Sequence, residues 1–80
     1  MFKMPRYVFH VRTRHRLERD KEGGLFTSAD AAHVTAIMAA RDMAAQDQLS
    51  GTLDLEKRIE ICDEGDRCVA TVWLTTVAGL

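Results

Sequence analysis

One proline, Pro5, occurs in 80 residues, so nothing marks a Pro-rich linker or a polyproline tract. The two cysteines, Cys62 and Cys68, are too few for the disulfide frameworks of small secreted domains. Five residues separate them, which fits neither a redox CxxC nor a zinc-ribbon spacing. Reduced thiols in a cytoplasmic protein are therefore expected. No apolar run approaches the roughly 20 residues that span a bilayer, and Met1 to Pro5 is too short for a signal peptide's apolar region. No membrane partner is expected. His10, His15 and His33 lack the ligand spacing of an HExxH motif, and Gly23-Gly24 has no Lys-Ser/Thr downstream. No metal, cofactor or phosphate-binding loop follows from these residues. A Cys-His catalytic pair would have to meet in space, and so small a domain offers little pocket volume. The chain reads as non-enzymatic, with a Cys62 thiol enzyme as a competing reading that a lowered thiol pKa would support.

What is present is the composition of an ordinary globular chain, 46% apolar and 29% charged. Its length gives one small domain, residues 1–80, whose thin core would gain from self-association. The net charge of -1 conceals a split. Residues 1–21 hold seven Lys/Arg against two acids, and residues 22–80 hold four against ten, so the segments carry +5 and -6. Such runs are commonly solvated faces, but the two poles also suit pairing between subunits.

Arg6 to Arg12 is rich in β-branched and aromatic residues and predicts a strand, with Tyr7, Phe9 and Val11 on its core face and Val8, His10 and Arg12 on the other. Thr13 to Glu22 reads as a charged loop or edge hairpin closed by Gly23-Gly24, and Leu25-Phe26 as a short strand with Phe26 buried. Ser28 caps an Ala-rich helix from Ala29 to Leu49, stopped at Ser50-Gly51. Its small-residue stripe, Ala29, Ala32, Ala36, Ala39, Ala40 and Met43, suits close packing on a sheet. Val34, Met38, Ala45 and Leu49 lie nearly opposite, either as scattered exposed apolar residues or as a partner contact.

Residues 58–62 and 68–74 flank Asp63-Glu64-Gly65-Asp66-Arg67, a hairpin signal. A two- or four-residue loop puts Ile59, Ile61, Cys68, Ala70, Val72 and Leu74 on one face and Glu60, Cys62, Val69, Thr71 and Trp73 on the other. The two cysteines then cannot meet; an odd loop would reverse this. The expected fold is α+β, a single helix on a three- or four-stranded antiparallel sheet in β-(β)-α-β-β order. Its core comprises Tyr7, Phe9, Val11, Phe26, Ala32, Ala36, Met43, Ile59, Ile61, Ala70, Val72 and Leu74.

Pro5-Arg6-Tyr7-Val8-Phe9-His10-Val11, the acidic-glycine element, the Ala-rich helix, Arg58-Ile59-Glu60-Ile61 and Asp63-Glu64-Gly65 together resemble a family of short bacterial proteins of unknown function that open with Pro-Arg-Tyr-Phe-Phe-His. The resemblance runs from Pro5 to about Val77. It equates Glu22-Gly23 with the family's acidic-Gly turn, Phe26 with a buried leucine, and Ala32 and Ala36 with sheet-facing alanines. The chain departs from the pattern at Val8, at Arg12-Thr13-Arg14-His15-Arg16, and in the order Gly65-Asp66. The resemblance implies the fold outline and no activity.

The function expected is a non-enzymatic protein-binding module, a homodimeric regulator or inhibitor that occupies a partner's surface. Val34, Met38, Leu49 and Trp73 are its apolar contacts, and Glu60, Asp63, Glu64 and Asp66 an acidic face for a basic partner. The alternative is nucleic-acid binding through the segment Arg12 to Lys21, led by Arg12, Arg14, Arg16 and Arg19. A pI near 6.3 and the lack of interleaved aromatics weigh against it.

Overall fold

Directly after Pro5, the β-branched and aromatic run Arg6–Arg12 forms strand β1, and the rest of the sheet is built around it. A computed structural model describes residues 4–79. Strands β2 (Leu17–Glu18), β3 (Gly24–Leu25), β4 (Arg58–Asp63) and β5 (Cys68–Trp73) complete an antiparallel sheet in the order β2-β1-β4-β5. Both short strands pair with β1, β2 at Val11 and Arg12, and β3 at Arg6 and Tyr7. Helix α1 (Ala29–Ser50) crosses one face of the sheet, and a single turn, α2 (Leu74–Val77), follows β5. The protein is thus α+β, with one main helix on a five-stranded antiparallel sheet. Two of the strands are only two residues long, which is why the sequence shows three or four.

The ends of α1 follow from its flanking residues. Ser28 Oγ accepts the Ala31 N–H at 3.1 Å, and Gly51, at φ 71°, closes the last turn by donating to the Gln48 carbonyl. Ala32, Ala36, Ala40 and Ala44 are buried on the sheet-facing side, so the helix backbone lies close to Ile59, Ile61 and Val72. Of the expected core, Ala32, Ala36, Ile59, Ile61, Val72 and Leu74 are buried, while Tyr7, Phe9, Val11, Phe26, Met43 and Ala70 pack half-buried around them. Phe26 completes the open end by packing its ring against Tyr7 and Phe9. Leu74 fills the core from the first residue of α2, not from the end of a strand.

The β4–β5 register corrects one expectation. Arg58, Ile59, Glu60 and Ile61 pair with Trp73, Val72, Thr71 and Ala70, which places Ile59, Ile61, Ala70 and Val72 on the helix side as expected. One residue further the ladder shifts, and Cys62 pairs with Cys68. Val69 is the extra residue of a β-bulge, so Cys68 crosses to the face of Cys62, and the two form a disulfide. Their placement on opposite faces, and the reduced state that went with it, are therefore not what the structure has. A strict period of two cannot anticipate a bulge.

Candidate functional site

Among the described residues, none forms a second layer over the sheet face away from α1. The pairings place Val8 beside Cys62, His10 beside Glu60, and Arg12 beside Arg58 on this face, continuing to Thr71 and Trp73 on β5. Arg12 Nε donates to Glu60 Oε2 at 2.9 Å, and Arg58 Nε lies 3.8 Å from the same oxygen. The Arg58 guanidinium also sits over the Trp73 ring, 4.7 Å from its centre. Trp73 remains 41% exposed, and Val69 is exposed along the same strand. Among the described residues, β5 is an edge strand, paired only with β4. On its α1 side, a hollow of about 270 Å3 is lined by His33, Ile37, Thr71, Trp73, Thr76 and Val77, among others.

The other end of this face is a polar clasp around His10, which is only 5% exposed. Between β2 and β3 the chain leaves the edge of β1, and Asp20 takes over the hydrogen bonding there. Its carboxylate accepts the Phe9 N–H at 3.0 Å, the Gly23 N–H at 3.1 Å and the Glu22 N–H at 3.2 Å. Burial pushes the Asp20 carboxyl up, but the three backbone donors outweigh it and hold the group below the usual carboxylate range, with His10 adding to the effect. The Asp20 N–H donates to His10 Nδ1 at 3.1 Å. Nδ1 is thus an acceptor and Nε2 carries the proton, directed at Asp66 Oδ1 3.4 Å away. Asp66 stands at the β4–β5 turn in the left-handed region, φ 60°, where aspartate is tolerated. Arg19 Nη1 approaches its other oxygen at 3.7 Å. An open cleft of about 380 Å3 lies over the clasp, with Arg6, Arg19 and Lys21 facing Asp63, Glu64 and Asp66.

Gly23 is required for this geometry. Its φ is 68°, and a Cβ there would lie 2.7 Å from the Tyr7 carbonyl oxygen and 2.9 Å from Val8 Cγ1. A ring nitrogen of His10, Cys62 Sγ and an Asp66 oxygen all lie within 4.8 Å of one another, close enough to share a cation. Their chemistry does not suit one in this state. Nε2 holds its proton while Nδ1 accepts from Asp20, and the Cys62 sulfur is committed to the disulfide.

The sequence-derived contact residues do not form one surface. Val34, Met38 and Leu49 are exposed on the side of α1 away from the sheet, whereas Trp73 and Glu60 belong to the sheet's far face. Glu60 is engaged by Arg12 and Arg58, and Asp66 by His10 and Arg19. Asp63 Oδ1 caps the β4–β5 turn by accepting the Gly65 and Arg67 N–H groups, so of the four acids only Glu64 stands exposed without a described hydrogen bond or ion pair. The arginines are equally occupied. Arg12 pairs with Glu60, Arg14 with Glu56 at 3.1 Å, Arg16 with Glu18 at 2.9 Å, and Arg19 with Asp66. The two charge poles of the sequence therefore meet within one chain. Asp54 reinforces the contact by accepting the Glu56 and Arg14 N–H groups, which hold its carboxyl below the usual range.

The clasp was not legible in the sequence as a unit. Its one local signal is Asp20-Lys21-Glu22-Gly23, an aspartate followed three residues later by a glycine, the pattern of a side-chain-closed turn. His10 and Asp66, 56 residues apart, come together only through the sheet register.

This fold and site define a small α+β domain whose helix covers one sheet face and whose other face carries a histidine clasp and an exposed tryptophan. The chain belongs to the family described as domain of unknown function DUF6894, matched over residues 6–75. No match was found among curated proteins or among solved structures. Among the described residues, no helix is long and apolar enough to cross a membrane.

Proposed function

We propose that this chain is a non-enzymatic protein-binding module, a regulator or inhibitor that docks through the corner where the uncovered sheet face meets the free edge of β5. The observation that carries this reading is Trp73. It lies under the Arg58 guanidinium yet is left 41% exposed, on an edge strand whose outward side has no partner strand among the described residues. A rigid, half-exposed aromatic beside a free edge suits both a buried anchor and strand addition. Intrachain pairing of Arg12, Arg14, Arg16 and Arg19 disfavours the nucleic-acid reading, because those cations are already balanced by carboxylates. The homodimer expected from the sequence would place Val34, Met38 and Leu49 between two copies.

The test compares immobilised wild-type protein with a Trp73→Ala bait of equal folded content. The reading predicts a protein retained by the wild type, displaced by free wild type, and lost from the Trp73→Ala bait. Equal retention by both baits would move the interface elsewhere. A monomer in sedimentation velocity at high concentration would remove the homodimer part.

A further inference from the structure

We infer that the Cys62–Cys68 disulfide is a redox lock on the register of the β4–β5 hairpin, opened by a dithiol reductant. Four successive pairs, Arg58↔Trp73 to Ile61↔Ala70, share one register. Leu74 N–H donating to the Lys57 carbonyl extends it in the other direction. Only Cys62↔Cys68 breaks the series. Continuing the series would pair Cys62 with Val69 and Asp63 with Cys68, closing the hairpin with the four residues Glu64 to Arg67, an ordinary loop length. The disulfide requires Cys62 and Cys68 to be opposite each other, and so it requires Val69 to be the unpaired bulge residue. Val69 is correspondingly exposed. Without the bond, Val69 enters the ladder and its side chain turns to the Cys62 face, beside Val8, which already pairs with Cys62.

The two cysteines differ in access. Cys62 is fully buried and Cys68 is exposed. A thiolate of the reductant attacks Cys68 Sγ, forming a mixed disulfide and breaking the Cys62–Cys68 bond, with Cys62 leaving as a thiolate. The reductant's second thiolate then attacks its own sulfur in the mixed disulfide and releases Cys68. The reductant ends as a disulfide, two electrons pass to the protein, and the reductant's two protons end on Cys62 and Cys68. A ring nitrogen of the buried His10 lies within 4.8 Å of Cys62 Sγ, so the departing thiolate forms beside the clasp.

The shift reaches the clasp through Asp66. The present turn is closed by the Asp63 N–H on the Arg67 carbonyl and by the Asp66 N–H on the Asp63 carbonyl. Pairing Asp63 with Cys68 replaces the first of these and withdraws Asp66 from His10 and Arg19, which opens the cleft above them. Oxidised protein is closed and bulged; reduced protein is open and regular.

Cross-strand NOEs in isotope-labelled protein, with and without excess dithiothreitol, test this. Oxidised protein should show Cys62 opposite Cys68. Reduced protein should show Cys62 opposite Val69 and Asp63 opposite Cys68, together with shifted His10 ring resonances. Deleting Val69 makes the two registers coincide, so that variant should keep the same pairings on reduction. A reduced wild type that retains Cys62 opposite Cys68, or that unfolds, would overturn the proposal, as would a disulfide that dithiothreitol does not reduce in the folded protein.

Discussion

The backbone N–H of Asp20 donates to Nδ1 of His10 at 3.1 Å, while the Asp20 carboxylate accepts the backbone N–H of Phe9, the residue beside that histidine. One residue thereby replaces a missing stretch of edge strand and fixes the tautomer of a buried imidazole. Both bonds depend on the chain turning at Gly23, which is why a short, charged loop can lie against β1 without pairing as a strand.

Replacing Asp20 with alanine leaves the N–H groups of Phe9, Glu22 and Gly23 without their acceptor. Hydrogen bonds to a charged group contribute roughly 1.5–3 kcal/mol, and water replaces part of that at the more open positions. Urea denaturation should show a loss of about 2–3 kcal/mol for Asp20→Ala. A loss below about 0.5 kcal/mol would deny the carboxylate its structural role.

Acid should reveal the same carboxylate. Because the folded-state pKa of Asp20 lies below its ordinary value, its contribution is fully present above about pH 4 and declines as pH falls through the folded-state value. Denaturation midpoints measured from pH 6 to pH 2 should fall below about pH 4 in the wild type. The difference between wild type and Asp20→Asn should shrink over that window; a constant difference would show that the carboxylate is not perturbed.

At Gly23, a side chain meets two obstacles, the positive φ and the Tyr7 carbonyl. The left-handed conformation alone costs roughly 1–2 kcal/mol for a residue with a Cβ, and the contact with backbone adds to it. Gly23→Ala should lose at least about 2 kcal/mol in thermal or urea unfolding. Gly51→Ala has the same sign of φ but nothing within 4 Å of the added Cβ, so it should lose less.

Intrachain ion pairing predicts a weak response to nucleic acid. Fluorescence anisotropy with single- and double-stranded DNA and RNA should show no binding near physiological salt. Any low-salt binding should keep its salt slope in an Arg14→Ala, Arg16→Ala double variant. A slope reduced by about two units would return those arginines to the role of phosphate contacts.

Much of the fold was legible because local chemistry and burial agree. Ser28 and Gly51 delimit α1, the alanines define its sheet side, and Ile59, Ile61, Ala70 and Val72 set the β4–β5 face. Cys68 was misplaced because one extra residue, Val69, reverses the period-two pattern at the end of the hairpin. Ala44 was missed because its burial depends on where the long helix lies over the sheet. The candidate site was legible only in parts. The outward position of Trp73 follows from alternation along β5, but the clasp joins Asp20, His10 and Asp66 from three distant segments. Charge runs were the least informative, since the basic arm and the acidic hairpin neutralise each other in the folded chain.

The proposed docking of a protein partner at the Trp73 corner can be tested by site-specific photo-crosslinking in the native cellular extract. A photoreactive residue at Thr71, exposed on the same face as Trp73, is compared with one at Ala45, exposed on the far side of α1. One dominant crosslinked protein is expected from position 71, suppressed by Trp73→Ala, and no such product from position 45. Crosslinks to that protein from position 45 alone, or no product from position 71, would contradict it.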